Sequence, residues 1–109
     1  MNVKRVIPRE RAIRDVEEAV DHYSDKAGET VAFGFVGALE DVYRHIARNP
    51  AAGSPRHAHE LNLAGLRCWR LKRYPYIVFY MDTEDHVDVW RVLHAKRDIP
   101  TWMGQDRPF

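Results

Sequence analysis

Imidazole, guanidinium and ammonium groups crowd the stretch VWRVLHAKRDIP at positions 89–100, where Arg91, His94, Lys96 and Arg97 stand among Val89, Trp90, Val92 and Leu93. Such groups suit metal-free cleavage of RNA. That reaction needs a base for the 2′-hydroxyl, cations for the charge growing on phosphorus, and an acid for the leaving oxygen. Arg67 and a tyrosine such as Tyr80 would complete the set. The same residues also describe a charged strand exit, with Arg67 and Arg91 on the surface or in salt bridges and His94 capping the strand. Spacing alone favours the exit.

Other chemistries find less support. His57 and His59 flank Ala58 with Glu60 next, but no second histidine pair or cysteine cluster completes a metal site, so they read as solvated loop histidines. Gly34 and Gly37 fall inside a helical pattern rather than between a strand and a helix, which excludes a phosphate loop. Ser24 and Ser54 lack a nucleophile-elbow setting, and Cys68 reads as a small packed residue within a strand. No metal and no cofactor is expected.

The elements that must position these groups follow from periodicity. Asn2–Ile7 is a short strand candidate ended by Pro8. From Arg9 to about Ser24, Ile13, Val16, Val20 and Tyr23 form one stripe of an amphipathic helix, with Ile7 where a capping Ser, Thr or Asp would stand. Ser24–Gly28 is a break short enough to set a second helix antiparallel to the first. That helix, from about Gly28 to Arg48, carries the wider apolar set Ala32, Phe35, Val36, Leu39, Val42, Tyr43 and Ile46, and Asn49-Pro50 ends it. Leu66–Arg73, Tyr76–Asp82 and His86–His94 are strands, the last two joined tightly through Thr83-Glu84-Asp85. The predicted fold is α+β: a short N-terminal strand, an antiparallel helical hairpin, then a three-stranded antiparallel meander, in the order β-α-α-β-β-β.

Alternation then assigns faces. Arg67, Trp69, Leu71 and Arg73 share one side of their strand, and Leu66, Cys68, Arg70 and Lys72 the other. In the last strand Val87, Val89, Arg91 and Leu93 oppose His86, Asp88, Trp90, Val92 and His94, which puts Arg91 and His94 on opposite faces unless a bulge intervenes. With helices on one face, the other is expected to expose apolar groups mixed with arginine, the mark of an interface.

Composition bounds the rest. A chain of 109 residues has room for one domain, spanning 1–109, with 45% hydrophobic and 30% charged residues. No apolar run is long enough to span a bilayer, the N-terminus lacks a signal-peptide pattern, and a lone cysteine rules out an internal disulfide. A cytoplasmic protein without membrane contact is expected. The net charge of +1 announces no nucleic-acid binder, yet residues 56–73 hold Arg56, His57, His59, Arg67, Arg70, Lys72 and Arg73 against the lone acid Glu60. Such a locally basic face suits a polyanion or an acidic partner, or an edge strand that uses cations against aggregation.

The run DHVDVWRVLHAKRDIPTWM resembles the C-terminal strand and exit of the ParE/RelE superfamily, the toxins of bacterial type II toxin–antitoxin modules. Pro50-x-x-Gly53, Gly65-Leu66-Arg67 and Tyr74-Pro75-Tyr76-Ile77-Val78-Phe79-Tyr80 follow in family order, so the likeness covers essentially the whole chain. The resemblance implies a small cytoplasmic toxin that arrests growth, associated with plasmid stabilisation and held inactive by a ParD-like antitoxin that wraps a segment over it. ParE-like members poison DNA gyrase without catalytic residues of their own. RelE-like members cleave mRNA on the ribosome. The Arg-Val-Leu-His-x-x-Arg-Asp exit is more similar to the ParE branch, and no tyrosine follows Tyr80 to serve as the late tyrosine of many of the nucleases.

On this reading the catalytic set is empty, and Arg67, Trp69, Arg73, Arg91, His94, Lys96, Arg97 and Trp102 contact antitoxin or target. Under the alternative, ribosome-dependent mRNA cleavage, Arg67, Arg91, His94 and Arg97 would be catalytic. Trp102 and Met103, beyond the last strand, are expected to pack back onto the domain, with target contact as the other role.

Overall fold

A computed structural model describes residues 3–97 and 99. The chain runs through β1 (Arg5–Pro8), α1 (Glu10–Ala27), α2 (Glu29–Arg48), a 3-10 turn at Pro50–Ala52, α3 (Arg56–Glu60), β2 (Leu66–Arg70), β3 (Tyr76–Asp82) and β4 (His86–His94). The α+β order and the antiparallel meander agree with the periodicity. The sheet, however, has four strands in the order β1-β4-β3-β2, because β1 pairs in parallel with β4, Arg5 opposite His86 through Pro8 opposite Val89. Its edge position explains how Pro8 is tolerated there.

The helical hairpin is tighter than its composition suggests. The expected break at Ser24–Gly28 is helical to Ala27, and Gly28 alone, at φ 95, turns the chain into α2. The buried side of α1 is Ala12, Asp15 and Ala19, flanked by Val16, Val20 and Tyr23, while Ile13 is largely exposed. No side chain caps α1. Arg9 stands at its N-cap and its amide donates to the Val89 carbonyl, so the sheet holds the entry. Arg9 also grips both carboxylate oxygens of Asp88 at 3.1 and 3.0 Å and lies 4.1 Å above the Trp90 ring, whose Nε1 donates to the same carboxylate.

The sheet separates two cores. On the helical side Phe35, Leu39, Val42 and Ile46 of α2 pack on Val78, Tyr80, Val87, Val89 and Val92. Tyr74 completes this core by donating to the Val31 carbonyl at 2.9 Å, an approach so close that a Cβ on Gly34 would sit 2.3 Å from the Tyr74 hydroxyl. On the other side Leu66, Cys68, Ile77, Phe79, Trp90 and Leu93 meet Leu61, Leu63 and Ile99. That second face was expected to lie open as an interface. The segment 56–65 instead folds α3 and a turn over it, and His57, expected to be solvated, packs edge-on against Phe79 at 5.4 Å.

The register of β4 departs from strict alternation. Phe79 pairs with Arg91 but Tyr80 pairs with Val89, so Trp90 is an extra residue in β4, a β-bulge. Val87, Val89 and Val92 therefore face the helices, whereas Trp90 and Leu93 join the second core. No helix of the described residues is long and apolar enough to cross a membrane.

Candidate functional site: the basic end of the sheet

β1 stops at Pro8, so the amide of Val92 points toward an edge with no strand beside it. Asp15 of α1 fills the gap. Its Oδ2 accepts from the Val92 amide at 3.0 Å and from Arg91 Nε at 2.7 Å, and its Oδ1 accepts from Arg91 Nη2 at 2.8 Å. Arg91 is 0% exposed, so it offers no surface to a partner or a phosphate, and its expected role as a contact residue is replaced by a structural one. The same carboxylate adds to the burial that pushes the Tyr43 hydroxyl up to about 12.

Two further groups considered for RNA chemistry are also engaged in structure. The Tyr80 hydroxyl is fully buried, donates to the Pro50 carbonyl at 2.8 Å and accepts the Gly53 amide at 3.0 Å. Arg67 Nη1 donates to the Gly53 carbonyl at 2.8 Å. A Cβ on Gly53 would stand 2.2 Å from that hydroxyl, so Pro50-x-x-Gly53 is the pattern of a loop closing over Tyr80. Trp69 is half-buried and stacks on His45 of α2 at 4.3 Å.

The opposite end of the sheet gathers the remaining candidates. Tyr76 pairs with His94, and the Leu71 amide donates to the Tyr76 carbonyl, so the β2–β3 connection and the exit of β4 lie side by side. The Ala95 amide donates to the Pro75 carbonyl at 2.8 Å and ties the two together. His94 Nδ1 accepts the Lys96 amide at 3.1 Å, and the Arg97 amide returns to the His94 carbonyl at 3.0 Å. His94 is thus the cap of the strand exit, and an unprotonated Nδ1 is what that cap requires. Burial, then Lys96, Arg97 and His22, hold the imidazole below its usual range.

Between α1 and this exit lies a cleft of about 420 Å³, lined by Glu18, His22, Tyr76, His94, Lys96 and Arg97 among others. The bulge at Trp90 brings Val92 and His94 to the α1 side, where Arg91 also meets Asp15, so Arg91 and His94 are not separated by the sheet as alternation implied. A second groove lies between α2 and the β2–β3 connection, lined by Gly34, Gly37, Ala38, Asp41, Lys72, Arg73 and Tyr74. Arg73 is exposed and takes φ 69, a left-handed backbone that serves the turn. Lys72, Arg73, Lys96 and Arg97 are all exposed.

The structure therefore brings Arg73, His94, Lys96 and Arg97 to one end of the sheet, places Arg67 near the other, and buries Arg91. Trp102 and Met103 lie outside the described residues. Asp15, His22 and Tyr76 line the cleft beside α1 without having been expected as site residues, Tyr76 having been read only as the start of its strand. An acid at position 15, within the stripe of Ala12, Val16 and Ala19, was the available signal for the first. Among the described residues no group of three or more His, Cys, Asp or Glu side chains is placed to hold a metal ion.

No relative matches among curated proteins. Among solved structures the chain is similar to one from "Chromosomal ParDE TA system from P. aeruginosa", with a TM-score of 0.72 and 19% identity over 86% of this chain and 98% of that one. At that identity the likeness is one of fold. Residues 6–99 match the family described as "ParE toxin of type II toxin-antitoxin system, parDE", and the chain belongs to that family of toxins.

Proposed function

We propose that this toxin acts in the cytoplasm by protein–protein contact, with DNA gyrase as its target and a cognate ParD-like antitoxin as its inhibitor. One observation carries the reading against catalysis: the groups that cleavage would need are already engaged. Arg91 is locked on Asp15, Arg67 on a backbone carbonyl, the Tyr80 hydroxyl in the 50–53 loop, and His94 Nδ1 in the exit turn. Exposed cations at the sheet's basic end suit an acidic partner surface and raise association rates.

Purified toxin is expected to block supercoiling by gyrase or to trap its DNA cleavage complex, and added antitoxin to relieve the effect. Unimpaired supercoiling, with translation halted in cells, would overturn this reading. The second reading, mRNA cleavage at the ribosome, rests on the sharing of one cleft by His94, Lys96 and Arg97. It requires transcripts to be cut on toxin expression, and cutting to be lost on His94→Gln with the fold intact. Intact transcripts during growth arrest would exclude it.

A further inference from the structure

Tyr74, Tyr76 and Tyr80 all pack on the helical side of the sheet, but their hydroxyls end differently. The Tyr74 hydroxyl donates to the Val31 carbonyl and the Tyr80 hydroxyl to the Pro50 carbonyl. Tyr76 is 9% exposed, yet its hydroxyl makes no hydrogen bond among the described residues. It lies on the cleft between α1 and the exit of β4, near enough to Arg97, Asp15 and Glu18 to feel their charges. A polar group set this deep at a cleft calls for a partner from outside the chain.

The backbone of β4 adds a second donor. Antiparallel pairing alternates, so the Val92 amide points away from β3 to Asp15, while the Ala95 amide turns back to the Pro75 carbonyl. The His94 amide, two residues after Val92, therefore points to the same open edge as Val92, where the cleft lies. One rung earlier this frame already holds a carboxylate, since Asp15 takes the outward Val92 amide with Arg91 beside it. At His94 the outward amide recurs with Lys96 nearby, and no side chain of the described residues accepts it. We infer that this cleft binds a small monocarboxylate with a flat apolar body, its oxygens on the Tyr76 hydroxyl, the His94 amide and Lys96. Charge selects the monoanion: Lys96 and Arg97 exceed Glu18 by one, Asp15 being matched by Arg91. Ala19, Val92 and Leu93 supply an apolar floor, and about 420 Å³ has room for a ring as well as the carboxylate.

The experiment titrates isotopically labelled full-length toxin with benzoate and follows backbone amide shifts by NMR. Saturable shifts centred on the His94 and Lys96 amides are expected, with a Kd on the order of 1 mM. Tyr76→Phe should weaken binding roughly fivefold to tenfold through one lost hydrogen bond. Its thermal melt should match the parent protein, because the hydroxyl it removes has no partner in the chain. Lys96→Gln, at an exposed position, should weaken binding without touching the core. Benzamide, which keeps the shape and loses the charge, should bind roughly tenfold more weakly than benzoate. Absence of saturable shifts, equal binding of benzamide, or undiminished binding by Tyr76→Phe would overturn the inference. Tighter binding of adenosine 5′-monophosphate than of benzoate would also overturn it, by assigning the cleft to phosphate. Gyrase inhibition is read in a separate assay, so either result can fail while the other stands.

Discussion

Arg91 and Arg73 carry the same side chain and lie near the same sheet, yet one is walled in and the other stands in water. Arg91 gives up all solvent because Asp15 supplies a two-pronged acceptor and takes the Val92 amide as well. Arg73 sits in a left-handed turn beside a groove and makes no ion pair among the described residues. A cation in a strand can thus be part of the frame or part of the surface. What decides is whether another element brings a carboxylate to it, not the residue type.

The largest expected effect falls on the buried pair. Asp15→Ala removes the carboxylate that the buried Arg91 guanidinium and the Val92 amide share and should cost about 3–5 kcal/mol, read from the denaturant midpoint. The double change Asp15→Leu with Arg91→Met should recover most of that loss, since well-packed apolar replacements of buried pairs are often neutral. If Asp15→Ala alone melts like the parent protein, the distinction between frame and surface collapses.

Next comes the loop over Tyr80. Gly53→Ala should destabilise by about 1–3 kcal/mol in thermal melts, because the new methyl overlaps the Tyr80 hydroxyl and the ring carbons beneath it. Combining it with Tyr80→Phe should cost less than the sum of the two single changes, because both disturb one contact.

A smaller effect is expected from acid. Burial is the first cause lowering both His94 and His57, so the folded state takes up protons at lower pH than the unfolded chain. The unfolded state then binds more protons, and stability rises with pH. It should be fully present above the unfolded value of about 6.5 and decline as pH falls below it. In urea titrations across that range His94→Gln should flatten part of the slope. An unchanged slope would show that the turn at Lys96 does not depend on an unprotonated Nδ1.

The least effect on stability belongs to the surface. Lys72→Glu with Arg73→Glu should shift unfolding by no more than about 0.5 kcal/mol per site while weakening partner association and its salt dependence. Loss of fold in that variant, read by circular dichroism, would place the pair with Arg91 instead.

How much of this was legible in the sequence differs by element. Periodicity located α2, the stop at Asn49-Pro50 and the tight turn at Thr83–Asp85, because each depends on neighbours a few residues away. Alternation sorted the faces of β2 correctly, with Cys68 toward one core and Trp69 packed against the other. It failed in β4, where Trp90 is inserted as a bulge, and no local signal announces where a strand will take an extra residue. It also missed α3, five residues long, which is stable only on the apolar floor of Phe79, Trp90 and Leu93 beneath it.

The stretch VWRVLHAKRDIP by itself determined that a β-strand ends in a cluster of cations with a histidine at its mouth, since strand propensity and charge are local properties. Only the tertiary structure decided which of those cations would reach solvent. Asp15 lies 76 residues before Arg91 in the chain, and their meeting depends on β1 stopping at Pro8 and α1 turning back across the open edge of β4. That closure buries one arginine, caps the strand with His94 and leaves Lys96 and Arg97 facing outward, because a desolvated charge persists only where the fold delivers its partner.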